Sequence, residues 1–130
     1  MTAVASLVLF SRTPAVTAAF YRALGVALVD EQHGDGDVHY AVDLAGVHIA
    51  VLDADAPQTV QPGFRQAGTV FPGFWVDDLD ATAATLRAAG APVVLEHQVQ
   101  EWGCRVVVAD PDGRAIELNQ QGHCAGEPGS

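Results

Sequence analysis

An acidic residue inside a predicted strand is the first group in this sequence with clear potential for chemistry. Glu117 lies in the segment Arg105 to Leu118 (RVVVADPDGRAIEL), in which two β-type runs flank the turn-forming residues Asp110 to Gly113. A buried carboxylate is costly unless it is paired or hydrogen-bonded. Glu117 is therefore expected to contact a metal ion, a ligand or a hydrogen-bonding side chain.

His48 is the second candidate for chemistry. It lies in the predicted strand Val47 to Leu52, where alternation places it on one face with Ala50. Alternation in the second half of the chain places Glu117 on the equivalent face, so His48 and Glu117 could face one cavity. There they could form a metal site of two residues and water molecules, or act as an acid–base pair. A hydrogen-bonded cavity histidine is the favoured interpretation. The other histidines are assigned to a neighbouring strand (His39) and to surface loops and the tail (His33, His97 and His123).

The charge balance restricts the class of partner. All 6 basic residues are arginine, against 16 acidic residues, so the formal net charge is -10. Such a field repels nucleic acid and anionic membranes and attracts cations. No targeting segment and no apolar run of about 20 residues is present, so no membrane association is predicted. Cys104 and Cys124 match no metal or redox spacing, which predicts free thiols in a cytoplasmic protein, with a disulfide between them as the alternative.

Two halves of the chain repeat one order of elements about 65 residues apart. Each has a strand, a capped helix that ends at a glycine, and three further strands, so the predicted fold is α+β with two tandem βαβββ modules. The modules are expected to pair into a curved, cup-forming mixed sheet with the helices on its outer face. A single domain over 1–122 is predicted, with module one at about 3–53, a linker at about 54–68, module two at about 69–120 and a flexible tail at 123–130.

The predicted element boundaries follow from hydrophobic periodicity and from glycine and proline punctuation. Thr13 is expected to cap the first helix, and Asp77 and Asp78 precede the second. The predicted strands are Ala3 to Phe10, Val26 to Val29, Val38 to Leu44, Val47 to Leu52, an interrupted strand from Thr69 to Val76, Ala91 to Leu95, Arg105 to Val108 and Arg114 to Leu118.

Three segments resemble the vicinal oxygen chelate superfamily of glyoxalases, bleomycin resistance proteins and dioxygenases: Pro14 to Gly25, Phe74 to Gly90 and Trp102 to Leu118. The resemblance covers roughly residues 3–120 and implies a homodimer. Enzymes of that family hold a divalent metal with four side chains, two from each module. Here the corresponding positions are Ser6, Ala50, Phe71 and Glu117. One carboxylate is too few for a catalytic ion, so no metal cofactor is predicted. The alternative is a divalent metal held by Glu117 and His48.

The loss of metal ligands leaves a predicted cavity with aromatic walls and one carboxylate. Such a cavity suits a planar or cationic organic molecule. The predicted ligand-binding residues are Ser6, Phe10, His48, Phe71, Trp75, Trp102 and Glu117. For Phe10, Phe71 and Trp75 taken singly, filling of the core is the simpler explanation. The predicted function is metal-independent binding of a small molecule such as an antibiotic. The alternatives are a metal-dependent lyase or dioxygenase, and a metal-free isomerase or hydrolase that uses His48 and Glu117.

Overall fold

The structure is a computed structural model that describes residues 2–32, 34, 38–56, 70–122 and 124. The chain divides into two compact units, Met1–Thr69 and Val70–Ser130, and each is described by itself. Most of the predicted linker, His33 and most of its turn, and His123 with the rest of the tail beyond Cys124 lie outside the described residues.

The first module is a four-stranded mixed sheet with one helix. Its elements are β1 (Ser6–Ser11), α1 (Pro14–Leu24), β2 (Val29–Glu31), β3 (His39–Leu44) and β4 (Val47–Asp53). The strands are arranged in the order β1-β4-β3-β2, with β1 parallel to β4 and the other neighbours antiparallel. Ala45 and Gly46 both have positive φ, as the tight β3–β4 turn requires.

The second module consists of β5 (Gly73–Trp75), α2 (Leu79–Ala88), β6 (Val93–Gln100), β7 (Gly103–Ala109) and β8 (Ala115–Gln121). It repeats the arrangement of the first module with the strand order β5-β8-β7-β6, in which β5 is parallel to β8. The predicted α+β fold with two βαβββ modules is therefore confirmed.

Each helix covers one face of its own sheet with an apolar stripe. In the first module Ala18, Tyr21 and Leu24 are buried on α1, and Leu9 and Val51 are buried on the strands. In the second module, Leu79, Ala83 and Leu86 line α2, which packs on β7 and β8. Each fully buried leucine stabilises the folded state by on the order of 2 kcal/mol. Because the helix covers one face of each sheet, the opposite face remains for function.

The two helices begin differently. Thr13 does not cap α1 through its side chain, so that prediction was wrong. Instead, the hydroxyl of Ser11 accepts a hydrogen bond from the backbone N–H of Thr13 at 2.9 Å and donates one to Thr17 at 3.0 Å. In α2, the carboxylate of Asp78 accepts from the N–H of Ala81 at 3.0 Å, a side-chain cap of the usual kind.

Strand β6 extends further than the sequence indicated. The polar run after Leu95 suggested a loop, but the strand continues to Gln100, with register irregularities on both sides of Leu95. His97 lies within this irregular part of the strand and is half-buried, so its assignment to a surface loop was wrong. Bulges of this kind change the direction in which a side chain points.

Cys104 and Cys124 form a disulfide, so the prediction of free thiols was wrong. The prediction relied on local spacing and on compartment. The fold brings the two cysteines together, because Cys104 on β7 pairs with Gln120 on β8, only four residues before Cys124. The two Cα atoms are 6.2 Å apart, within disulfide range. Neither helix in the described ranges has the length and hydrophobicity that a bilayer crossing needs.

Candidate functional site

The face of the second sheet that carries Glu117 is defined by strand register. Glu117 pairs with Gly73 on β5 and with Val107 on β7, and Trp75 pairs with Asn119. Paired residues in a sheet point to the same face, and alternate residues of a strand share it. Glu117, Trp75 and Asn119 therefore lie on one face of the sheet.

Glu117 has a cationic partner that the sequence reasoning did not identify. The guanidinium of Arg105 on β7 donates a hydrogen bond of 2.6 Å to the Glu117 carboxylate. Arg105 also donates from Nε to the side-chain oxygen of Gln98 at 3.0 Å. The cost of a buried carboxylate correctly predicted a partner for Glu117, but His48 was the only residue named for that role. Diagonal neighbours across an antiparallel ladder could have pointed to Arg105.

A pair of indole rings lies on the same face of the sheet as this ion pair. Trp75 on β5 and Trp102 in the β6–β7 turn are in edge-to-face contact, with ring centroids 5.5 Å apart and an interplanar angle of 89°. Their side chains are in large part accessible, since Trp75 is 62% and Trp102 43% exposed. Phe71 is also exposed, whereas Phe10 is half-buried. Filling of the module core therefore does not explain Trp75 or Phe71.

Asn119 adds an unsatisfied polar atom to the same face. Its side-chain N–H donates to the carbonyl of Phe74 at 3.4 Å, while its Oδ1 is buried and has no hydrogen-bond partner in the described ranges. A Cβ on Gly73 would lie 3.4 Å from a Glu117 oxygen and 3.5 Å from the Asn119 nitrogen. Gly73 thus keeps two polar side chains close to the β5 backbone. Sequence reasoning missed Asn119 as a site candidate.

The site residues predicted in the first module lie on β1 and β4. Ser6 pairs with His48 in the parallel ladder, and Phe10 lies on the same face further along β1. The Nδ1 atom of His48 is 2.7 Å from the carboxylate of Asp43, its cross-strand partner on β3. His48 and Asp43 are both well exposed. His48 is thus a surface residue that is hydrogen-bonded to Asp43. Asp43 was not among the predicted site residues.

The residues at the metal positions of the family do not fit a divalent ion. Ala50 and Phe71 have no donor atom, and Ser6 offers only a hydroxyl. The remaining ligand, Glu117, already accepts a hydrogen bond from a guanidinium, and a fixed cation at 2.6 Å opposes a second one. We therefore derive no chemistry through a metal at these positions.

The fold and the surface define a class: a protein of two βαβββ modules with an aromatic, polar surface on the helix-free face of its second sheet. The model of the Glyoxalase/Bleomycin resistance protein/Dioxygenase superfamily matches residues 3–118. The chain belongs to this superfamily. No curated protein sequence matches it significantly.

Solved structures give the same fold. TnmS3, an antibiotic binding protein from Streptomyces sp. CB03234, is 23% identical with a TM-score of 0.69, over 94% of this chain and 98% of that one. TioX from Micromonospora sp. ML1 is 26% identical with a TM-score of 0.68, over 92% and 99%. Lactoylglutathione lyase from Agrobacterium tumefaciens is 19% identical with a TM-score of 0.62, over 92% and 94%.

Proposed function

We propose that this protein binds and sequesters a planar organic compound without a metal ion, on the helix-free face of its second sheet. The observation that carries the proposal is the exposed edge-to-face pair of Trp75 and Trp102, of which Trp75 lies on the same face of the sheet as Glu117. Two accessible indoles held at right angles offer both a stacking face and a ring edge to an aromatic ligand. Such a surface has no role in the core of the module.

The charges near the indoles set the preference among planar ligands. Arg105 offsets the charge of Glu117, so ring contact rather than a single ion pair supplies most of the proposed affinity. The net charge of -10 still favours cationic over anionic ligands through long-range attraction. The buried Oδ1 of Asn119 would accept a hydrogen bond from a ligand that carries a donor. A planar cation with an N–H or O–H group fits these features best.

The comparisons support this proposal only at the level of the fold. TnmS3 is described as an antibiotic binding protein, so the fold serves that purpose in at least one other chain. The alternative of a metal-dependent lyase or dioxygenase has a counterpart in the lactoylglutathione lyase. The unsuitable donor set at the metal positions favours binding over that chemistry. The metal-free acid–base alternative has less support, because His48 and Glu117 each already have a partner in their own modules.

Intrinsic fluorescence tests the proposal without a label. The chain has two tryptophans, and both are in this pair, so a stacking ligand must perturb all of the indole emission. We expect bleomycin-type and other planar cationic drugs to quench the emission saturably, with calorimetry giving the affinity. Trp102→Ala should weaken the binding about tenfold, the equivalent of about 1.4 kcal/mol. Glu117→Gln should weaken the binding of cationic compounds more than the binding of neutral planar compounds.

A matched control and two outcomes decide the test. Phe20→Leu changes an aromatic side chain on α1 in the other module and should leave the affinity unchanged. Affinity that stays the same in both Trp102→Ala and Glu117→Gln would remove the proposed surface. Stoichiometric zinc, nickel, manganese or iron bound at Glu117 after careful metal loading would replace binding with the metal-dependent alternative.

The homodimer and the cytoplasmic location also belong to this proposal. Family resemblance suggests the dimer, and sedimentation equilibrium of the purified chain would measure it directly. A reducing compartment would leave Cys104 and Cys124 as thiols, whereas the structure holds them as a disulfide. Labelling of free thiols before cell lysis would report which form exists in cells.

A further inference from the structure

A second cluster of chemically active groups lies away from the indole pair. His97, Cys104 and Cys124 place one ligand atom each within 4.8 Å of one another. Cys104 pairs with Gln120, whereas the neighbouring residue Arg105 belongs to the face of Glu117. Adjacent residues of a strand point to opposite faces, so this cluster lies on the other side of the second sheet. It is independent of the proposed ligand surface.

The imidazole of His97 is incompletely satisfied in this position. Its Nε2 atom is buried and has no hydrogen-bond partner among the residues that the structure describes. Native proteins rarely bury a polar nitrogen in this way, because its lost hydration is not recovered. The neighbouring Cys104 and Cys124 are both 1% exposed. A group that binds a ring nitrogen of His97 and also contacts the two sulfurs would account for this arrangement.

A metal ion bound by two thiolates and one imidazole meets that description. Zinc prefers sulfur and nitrogen ligands, with bonds of about 2.3 Å to sulfur and about 2.0 Å to nitrogen. These bonds place the ligand atoms of a tetrahedral site about 3.5 to 3.8 Å apart. All three ligand atoms already lie within 4.8 Å of one another, and reduction of the disulfide would free the two sulfurs to move apart to that spacing. Two thiolates would also neutralise the charge of the buried ion.

We propose that the reduced protein has a zinc site formed by Cys104, Cys124 and His97, and that the disulfide is the metal-free state of this site. A phosphine or dithiol reductant supplies two electrons, and two protons convert the S–S bond into two thiols. Zinc binding then releases two protons, because the ligands are thiolates. A water molecule or an external ligand completes four-fold coordination. The two states exclude each other, since the sulfurs bonded in the disulfide are not thiolate ligands.

Metal titration of the tag-free full chain tests the proposal. The protein is reduced with a phosphine, freed of reductant without oxygen, and titrated with Zn²⁺ against a chromophoric chelator. We expect one equivalent to bind with a dissociation constant below about 1 µM, and the oxidised protein to bind at least about a hundredfold more weakly. Co²⁺ in place of zinc should give a thiolate-to-metal charge-transfer band and the strong visible bands of tetrahedral coordination.

Histidine variants separate this site from adventitious binding. His97→Gln should lower the affinity for zinc by about tenfold or more, because it removes one of the three protein ligands. The matched control is His39→Gln, a partly buried strand histidine of the other module beside Glu31, which should bind zinc as the parent does. Failure of the reduced parent protein to bind zinc would overturn the proposal. A cobalt complex without the thiolate band, or equal zinc affinity in a folded His97→Gln variant, would also overturn it.

Discussion

Arg105 on β7 and Glu117 on β8 are joined across a diagonal of the antiparallel ladder, with 2.6 Å between a guanidinium nitrogen and a carboxylate oxygen. The acid that corresponds to a metal ligand of the superfamily is therefore engaged in an ion pair. Both side chains are less than one-third exposed, at 29% and 24%. The register of β7 and β8 therefore decides that the Glu117 carboxylate is neutralised by an arginine.

Breaking this pair should reduce stability. Arg105→Gln leaves the partly buried carboxylate of Glu117 without its cation, and the free energy of unfolding should fall by about 1 to 2 kcal/mol. Urea denaturation followed by circular dichroism measures the loss. A double-mutant cycle with Glu117→Gln should give a coupling energy that accounts for most of it.

An exposed ion pair of the same module serves as the control. Arg87 and Glu96 are 2.8 Å apart, but their side chains are 48% and 77% exposed. Water and salt screen such a pair, so Arg87→Gln should change the free energy of unfolding by less than about 0.5 kcal/mol. Equal losses in the two arginine variants would contradict the role that we assign to burial.

Asp110 should be the most sensitive carboxylate of the β7–β8 turn. It forms an ion pair with the fully buried Arg114 and accepts hydrogen bonds from the backbone N–H groups of Asp112 and Arg114. Asp110→Ala removes all three interactions, and we expect a loss of about 3 to 5 kcal/mol by chemical denaturation. Asp110→Asn keeps an oxygen for the backbone and should lose less. Glu101→Gln, in an exposed turn, should have almost no effect.

Gly103 should tolerate no side chain. A Cβ there would lie 1.9 Å from the backbone oxygen of Gln120, a contact that only movement of β7 away from β8 could relieve. Gly103→Ala should therefore destabilise the protein by roughly 3 kcal/mol or more, measured by thermal unfolding. Gly113 has a φ of +82° but open space around its Cβ position. Gly113→Ala should cost only about 1 kcal/mol, and a larger effect there than at Gly103 would refute this explanation.

The disulfide should contribute measurably to the stability of the oxidised protein. It joins residues separated by 20 positions, and closure of a loop of that size is worth about 3 kcal/mol in the chain-entropy model. The Cys104→Ser/Cys124→Ser double variant should lose this amount relative to the oxidised parent, with a chelator present throughout. Addition of a phosphine should destabilise the parent but leave the double variant unchanged. A parent that is insensitive to the reductant would contradict the prediction.

Much of the fold could be predicted from the sequence because its signals are local. The helices follow apolar periodicity, and turns such as Asp110 to Gly113 follow residue chemistry, so the repeated order of elements is recoverable. The short strand β5 is an example of the limits of such reasoning, because its length depends on pairing with β8 rather than on its own residues. The domain boundaries and the set of ligand-binding residues stay predictions.

The candidate site was less predictable because it depends on register and on tertiary contact. Strand register places Trp75 and Glu117 on one face, but alternation along a single strand does not show that Arg105 neutralises the acid. Free thiols were favoured over the disulfide because Cys124 approaches Cys104 only after β8 has returned beside β7. His97 was missed because an irregularity in β6, invisible to a periodicity argument, changes its environment.

The parallel pairing of the first and last strands of each module has a consequence for synthesis on the ribosome. Ser6 pairs with His48, and Gly73 pairs with Glu117, so each opening strand pairs with a strand that emerges some forty residues later. Loop closure over that distance must precede completion of either sheet. During translation β1 and β5 are consequently the strands that wait longest for a neighbour, and a nascent-chain arrest series should show each module acquiring protease resistance only when its final strand has left the exit tunnel.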